Sequence, residues 1–80
     1  MYIIQNKKGG LYIGFTTNLS KRIWYHNNQF SQYTKLKGPW DLVWYCVFNR
    51  EKDALNFERY LKTHSGRMFI EKRLFISGEI

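Results

Sequence analysis

The fold of this 80-residue chain is decided by residues 2–15, Tyr-Ile-Ile-Gln-Asn-Lys-Lys-Gly-Gly-Leu-Tyr-Ile-Gly-Phe. Two runs rich in β-branched and aromatic side chains, 2–5 and 11–15, flank five polar or glycine residues. This pattern predicts a β-hairpin, because the glycines permit the positive φ that a tight loop requires.

The register of this hairpin follows from where its loop closes. We expect Gln5 and Leu11 to close the loop, so that Tyr2 lies opposite Gly14. Tyr2 and Tyr12 then share one face on a cross-strand diagonal, within reach of each other. The two phenols are either core residues with satisfied hydroxyls or functional groups. Gly14, inside a strand, predicts a bulge or a close approach of the backbone.

A helix, a loop and a third strand are predicted next. Residues 16–18 (Thr-Thr-Asn) are N-cap types, and a helical pattern follows them to about Asn28. Residues 29–39 have no clear period and are interpreted as a loop. Residues 40–48 are rich in Trp, Val and Phe on both faces, which predicts a central strand covered on both sides.

Two further helices complete the chain. Asn49 is a candidate cap for a helix over about 50–63, and Ser65-Gly66 breaks that run before a short helix over about 67–75. The order β-β-α-β-α-α predicts one α+β domain spanning residues 1–80. Its three-stranded, mostly antiparallel sheet is flanked by helices.

Charge and composition limit the partners and the compartment. Thirteen Lys and Arg against six Asp and Glu leave a net charge of +7, which favours DNA, RNA or an anionic membrane surface over a basic surface kept for solubility. The longest apolar run, 42–48, is far below the roughly 20 residues of a membrane-spanning helix. No secretory signal opens the chain, and the lone Cys46 has no disulfide partner within it. We therefore expect a buried core thiol and a reducing, cytoplasmic location.

Glu58 stands out in the second predicted helix. It falls within the apolar stripe of Ala54, Phe57 and Leu61. A carboxylate turned towards a core is costly unless it is paired or binds a metal. The alternatives are a metal ligand, a buried salt bridge, or a carboxylate at the edge of the stripe that reaches water.

Arg22 and His26 lie four residues apart on the first predicted helix, and so one above the other. Leu19 and Ile23 define the buried stripe of that helix, and the two polar side chains fall along its border. They are either functional groups facing the sheet, or a partly exposed arginine and a histidine favoured by the helix C-terminus.

Together these residues resemble the GIY-YIG nuclease superfamily, especially its small stand-alone domains. Residues 12–14 copy the second half-motif, Tyr-Ile-Gly, and Tyr2 stands on the tyrosine of the first. Arg22 matches the arginine of the first helix in that family, His26 a common histidine, and Glu58 the metal-binding glutamate. Further matching segments are residues 38–43, 56–62 and 65–67.

The resemblance implies a metal-dependent DNA endonuclease, with weak sequence specificity or a preference for structures such as single strands or branches. Glu58 and water molecules would hold one Mg²⁺, or Mn²⁺, and Arg22 would bind the phosphate. A tyrosine would act as general base: we assign Tyr2 to this role and Tyr12 to a phosphate or water contact, with the reverse assignment open. His26 would orient groups or relay protons.

Substrate binding would draw on exposed basic and aromatic side chains. The candidate phosphate contacts are Lys7, Lys8, Lys21, Lys35 and Lys37, and the candidate stacking side chains are Trp24, Phe30 and Tyr33. Alternatively, the lysines only solvate loops and the tryptophan packs. Many family nucleases carry an asparagine soon after the glutamate helix, whereas this chain has none after Asn56. A catalytically impaired nucleic-acid-binding module is therefore the alternative function.

Overall fold

A computed structural model describes residues 1–28 and 37–78 and contains three strands and three helices within them. The elements are β1 (Tyr2–Asn6), β2 (Leu11–Gly14), α1 (Leu19–Asn27), β3 (Trp40–Tyr45), α2 (Glu51–Leu61) and α3 (His64–Arg73). The predicted order β-β-α-β-α-α and the α+β class are confirmed. None of the helices in these ranges is long and apolar enough to cross a membrane.

The sheet is antiparallel, with strand order β2-β1-β3. Gln5 pairs with Leu11 and Tyr2 with Gly14, so the predicted hairpin register is confirmed. The turn is stabilised by Asn6, whose Oδ1 accepts hydrogen bonds from the backbone N–H groups of Lys8 and Gly10. The left-handed backbone conformation of the turn, φ +86°, falls on a glycine, Gly9.

The central position predicted for the third strand is wrong. Strand β3 ends at Tyr45 and lies at an edge of the sheet, so β1 is the central strand. Trp44 pairs with Ile3 but Leu42 pairs with Ile4, so β3 carries one extra residue between these partners. This bulge interrupts the alternation of side chains between the two faces, so apolar side chains point to both faces of the sheet. An edge strand therefore has the sequence pattern of a central strand that is covered on both sides.

Two apolar clusters cover the two faces of the sheet. On the first face, Tyr2, Ile4 and Trp40 are buried, and Leu19 and Ile23 of α1 pack against them. The second cluster joins the opposite face to α2 and α3, and its buried members are Met1, Ile3, Leu11, Ile13, Leu61, Ile70 and Ile76. Cys46 is half-buried against this second cluster. The sheet is thus a middle layer between α1 and the α2–α3 pair.

The ends of the last two helices differ from the prediction. Arg50 rather than Asn49 is the N-cap residue of α2, and no side chain caps that helix. Helix α3 begins at His64, and Thr63 caps it by accepting a hydrogen bond from the N–H of Gly66. Gly66 therefore lies inside α3 instead of breaking α2. It is buried where a side chain would collide with the backbone of the last turn of α2.

This close approach generates a stability prediction. A Cβ at position 66 would meet backbone atoms of Tyr60 and Leu61, which cannot move aside as a side chain can. We expect Gly66→Ala to lower the free energy of unfolding by about 3 kcal/mol, the upper end for overpacking. Ser65→Ala, at the exposed neighbouring position, is the matched control and should stay within about 0.5 kcal/mol of the wild type. Urea unfolding followed by circular dichroism measures both, and equal midpoints for Gly66→Ala and wild type would contradict the prediction.

Candidate active site

Three aromatic rings from three elements meet on the α1 face of the sheet. Tyr2 comes from β1, Tyr12 from β2 and His26 from α1. The ring centroids lie 6.3 Å apart for the two tyrosines, 5.8 Å for Tyr2 and His26, and 4.9 Å for Tyr12 and His26. Tyr2 and His26 are each only 1% exposed, whereas Tyr12 is half-buried. The two phenols, which the sequence predicted to lie on one diagonal, therefore also form part of the surface on which α1 packs.

A hydrogen bond of 2.7 Å joins the Tyr2 hydroxyl to His26 Nε2. The phenol O–H donates in one histidine tautomer, and Nε2–H donates in the other. Burial, followed by the neighbouring Tyr12, raises the pKa of Tyr2 above its usual value. Burial, followed by the charge of Arg22, lowers the pKa of His26. Both partners are therefore uncharged at neutral pH, which a buried pair requires.

Gly14 leaves room for the Tyr2 ring. A Cβ at position 14 would lie 2.5 Å from the Tyr2 hydroxyl oxygen and 2.7 Å from the ring carbon that carries it. No side chain fits there unless the tyrosine moves. The close approach that the sequence predicted at this glycine is thus made by the side chain of its cross-strand partner.

Two charged groups act on this aromatic cluster from different layers. Arg22, one turn before His26 on α1, is half-buried, and its positive charge favours the ionised form of Tyr2. Glu58 belongs to α2, yet its negative charge is close enough to raise the pKa of Tyr2. The charges of Arg22 and Glu58 thus both act on Tyr2, and that of Arg22 also acts on His26.

Glu58 pairs with a neighbour on its own helix. Lys62 Nζ lies 2.9 Å from Glu58 Oε2, and the lysine is the more exposed partner. An exposed pair of this i,i+4 type contributes little stability. The pair is exposed rather than the buried salt bridge considered from the sequence, and it agrees with the alternative of a carboxylate at the edge of the stripe.

The donor set at this carboxylate fits a hydrated divalent ion. Within residues 1–28 and 37–78, no group of three or more His, Cys, Asp or Glu could hold a metal ion. Structural and catalytic zinc sites need three or four protein ligands. Mg²⁺ instead keeps several waters and commonly uses one or two carboxylates, which matches a single half-buried Glu58.

The candidate substrate contacts lie on the surface wherever the structure describes them. The exposed ones are Lys7 and Lys8 in the hairpin turn, Lys21 and Trp24 on α1, and Lys37 before β3. Trp24 is 57% exposed, so more than half of its surface is open to solvent. Phe30, Tyr33 and Lys35 lie outside the described residues.

Two residues with clear structural roles were not identified from the sequence. The guanidinium carbon of Arg22 lies 5.4 Å from the ring centroid of Tyr25, and the same ring meets His26 edge-on. Asn27 exchanges two hydrogen bonds with the backbone of Trp40, donating to its carbonyl at 3.1 Å and accepting from its N–H at 2.7 Å. The i,i+3 spacing of Arg22 and Tyr25 could have predicted their contact. No nearby residue indicates that Asn27 pairs with Trp40.

Comparison with known proteins identifies the family. The model of the GIY-YIG catalytic domain matches residues 1–73. UPF0213 proteins of Staphylococcus saprophyticus and Clostridium perfringens are each 41% identical to this chain, over 81% of it and 80% of the first relative, and over 78% of it and 68% of the second. One from Streptococcus pyogenes is 34% identical over 84% of this chain and 74% of its own length. No solved structure matches the chain significantly. The chain belongs to the GIY-YIG family of nucleases.

Proposed function

We propose that this domain is a metal-dependent endonuclease that hydrolyses phosphodiester bonds in DNA. Membership of a nuclease family implies a nucleic-acid substrate. The observation that carries the proposal is the packing of two phenols and an imidazole on the α1 face of the sheet, with the charges of Arg22 and Glu58 acting on the buried phenol. We further propose weak sequence specificity, or selection of structures such as single strands and branches, because a domain this small offers little surface for reading a long site.

Arg22 is proposed to bind the scissile phosphate. Its guanidinium carries two N–H groups in the fork geometry that phosphate oxygens accept. Negative charge on these oxygens grows as the bond to the leaving group breaks. An arginine that stays in place therefore stabilises the transition state more than the ground state.

Glu58 is proposed to hold the Mg²⁺ or Mn²⁺ ion together with water molecules. When bound, the ion supplies Lewis-acid stabilisation of phosphate and leaving-group oxygens. The protein contributes the position of the carboxylate on α2, from which its charge acts on Tyr2. Neutralising Glu58 also removes one of the charges that hold the pKa of Tyr2 high.

Burial favours Tyr12 over Tyr2 as the general base. A base must reach the water that it deprotonates. Tyr2 is almost completely buried, and its raised pKa makes the phenolate costly. Tyr12 lies beside the same histidine but is half-buried. We therefore propose Tyr12 as the base, the reverse of the first assignment, with Tyr2 and His26 as positioning residues behind it.

A nucleic-acid-binding module without catalysis is the second candidate. It is favoured by the lack of any asparagine after Asn56. It is also compatible with the pairing of Glu58 to Lys62, because that pair leaves the carboxylate neutralised without a metal.

The first prediction about function distinguishes an enzyme from a nucleic-acid-binding module without catalysis. Glu58→Gln should reduce Mg²⁺- or Mn²⁺-dependent cleavage of labelled single-stranded, duplex and branched DNA by at least about 10²-fold, the effect of losing one electrostatic stabiliser. Binding measured in chelator should be unchanged or slightly tighter, because the substitution removes a negative charge that repels phosphate. Glu51→Gln, an exposed carboxylate in the first turn of the same helix, should cleave as the wild type does.

The outcome for the wild type decides between the two candidates. A wild-type protein that cuts no DNA with either metal, yet binds it as tightly as Glu58→Gln does, would establish the binding module and refute the enzyme.

The second prediction tests the base. Tyr12→Phe should slow single-turnover cleavage by about 10²–10⁴-fold, the range for general-base catalysis, and the melting temperature is measured in parallel. Tyr2→Phe should leave the buried His26 nitrogen without its partner and cost about 1–3 kcal/mol of stability, while slowing cleavage less than Tyr12→Phe does. An inactive Tyr2→Phe beside an active Tyr12→Phe would restore the original assignment.

The third prediction concerns the salt dependence of binding. Each phosphate contact contributes about −0.9 to the slope of log affinity against log salt on duplex DNA, and about −0.7 on single strands. Replacing both Lys7 and Lys8 by Ala should flatten the duplex slope by about 0.9 for each lysine that contacts a phosphate. Lys52→Ala, on the exposed start of α2, is the control. Affinity that does not change with salt would argue against binding to the phosphate backbone.

A further inference from the structure

Two cavities adjoin each other beside the aromatic cluster. The first, of about 400 Å³, is lined by Thr16, Thr17, Asn18, Lys21, Arg22 and Tyr25. The second, of about 360 Å³, shares Thr16 and Thr17 with the first and continues to Phe15, Tyr45 and Phe48. The same two threonines therefore form the wall between a basic cavity and an aromatic one.

The charge of the first cavity comes from side chains rather than from the helix end. Asn18 Oδ1 already accepts the N–H of Lys21 and caps α1. The Thr16 hydroxyl donates to the carbonyl of Asn18 and accepts from its N–H, so the wall is held in one conformation. Lys21 is exposed, and Arg22 is the residue whose charge reaches Tyr2. An anion in this cavity would thus lie directly beside the phosphate that Arg22 is proposed to bind.

The Tyr45 side of the aromatic cavity lies on the same face of the sheet as the candidate site. Tyr45 pairs with Tyr2 across β1 and β3, and directly opposed residues share a face. Tyr2 is buried at this row, but Tyr45 is 58% exposed. Exposed aromatic rings beside a basic groove are how proteins hold unpaired bases, because every base has a face that stacks.

We propose that the two cavities form one nucleotide subsite that flanks the bond to be cut, an inference that rests on the proposed function. Lys21 contacts the phosphate next to the one bound by Arg22, the polypeptide at Thr16 and Thr17 lies under the sugar, and the base stacks on Tyr45. A base in a duplex is already stacked on its neighbours and cannot enter. The subsite therefore selects DNA in which the nucleotide beside the cut is unpaired.

The experiment compares strands with and without bases. Binding is measured by fluorescence anisotropy in EDTA, so that nothing is cleaved, on a short oligo-dT strand and on an abasic strand of the same length. Tyr45→Ala should weaken binding to oligo-dT by about 5- to 150-fold, as for loss of one base–aromatic stack, and leave binding to the abasic strand unchanged. Lys21→Ala should flatten the salt slope by about 0.7 on both strands.

Matched variants separate the subsite from general effects. Tyr45→Phe keeps the ring and should bind oligo-dT as the wild type does. Phe75→Ala removes another exposed aromatic ring, and Lys72→Ala another exposed lysine, and neither residue lines the two cavities. Both controls should match the wild type.

The outcomes distinguish this proposal from the proposed function. A protein that cleaves DNA while Tyr45→Ala binds oligo-dT as tightly as the wild type overturns the subsite and leaves the nuclease standing. An equal loss on the abasic strand also overturns it, because the ring would then act on folding or on the backbone. If the wild type binds neither strand, the subsite and the proposed function fail together.

Discussion

The hydrogen bond between Tyr2 and His26 is the contact on which the arrangement of this domain depends. It joins the central strand to α1 between two side chains that water does not reach. Breaking it would leave a buried polar nitrogen unsatisfied, a cost comparable to a substantial fraction of the stability of a small domain. Because Arg22 lies one turn before this histidine, the same bond that fixes α1 on the sheet also sets where the guanidinium can lie.

Charge is arranged around this neutral pair rather than within it. Arg22 approaches from the helix on one face of the sheet, and Glu58 from the helix pair on the other. Their opposite effects on the Tyr2 phenol partly cancel in the free protein.

Local pattern predicted the elements whose partners are near in sequence. The hairpin register followed from turn length and alternation, and it placed Tyr2 opposite Gly14 and diagonal to Tyr12. The edge position of β3 could not be predicted, because an extra residue in a strand produces apolar side chains on both faces, as burial does. The start of α3 was missed because glycine was read as a breaker, whereas Gly66 is required by the backbone packed against it. The sequence supplied five candidate site residues, which stay a prediction, but the accessibility that separates Tyr2 from Tyr12 depends on how tightly α1 packs.

The contact between Tyr2 and Gly14 links the two half-motifs into one steric unit. Any Cβ at position 14 overlaps the tyrosine ring, so a larger residue is tolerable there only if the ring moves or is lost. Replacing the hydroxyl alone would not suffice, because a ring carbon is nearly as close. The two positions are therefore expected to be epistatic, because a substitution of Gly14 costs less in a sequence that has already lost the aromatic ring at position 2. Loss of the tyrosine first, and of the glycine afterwards, is the easier order of single substitutions.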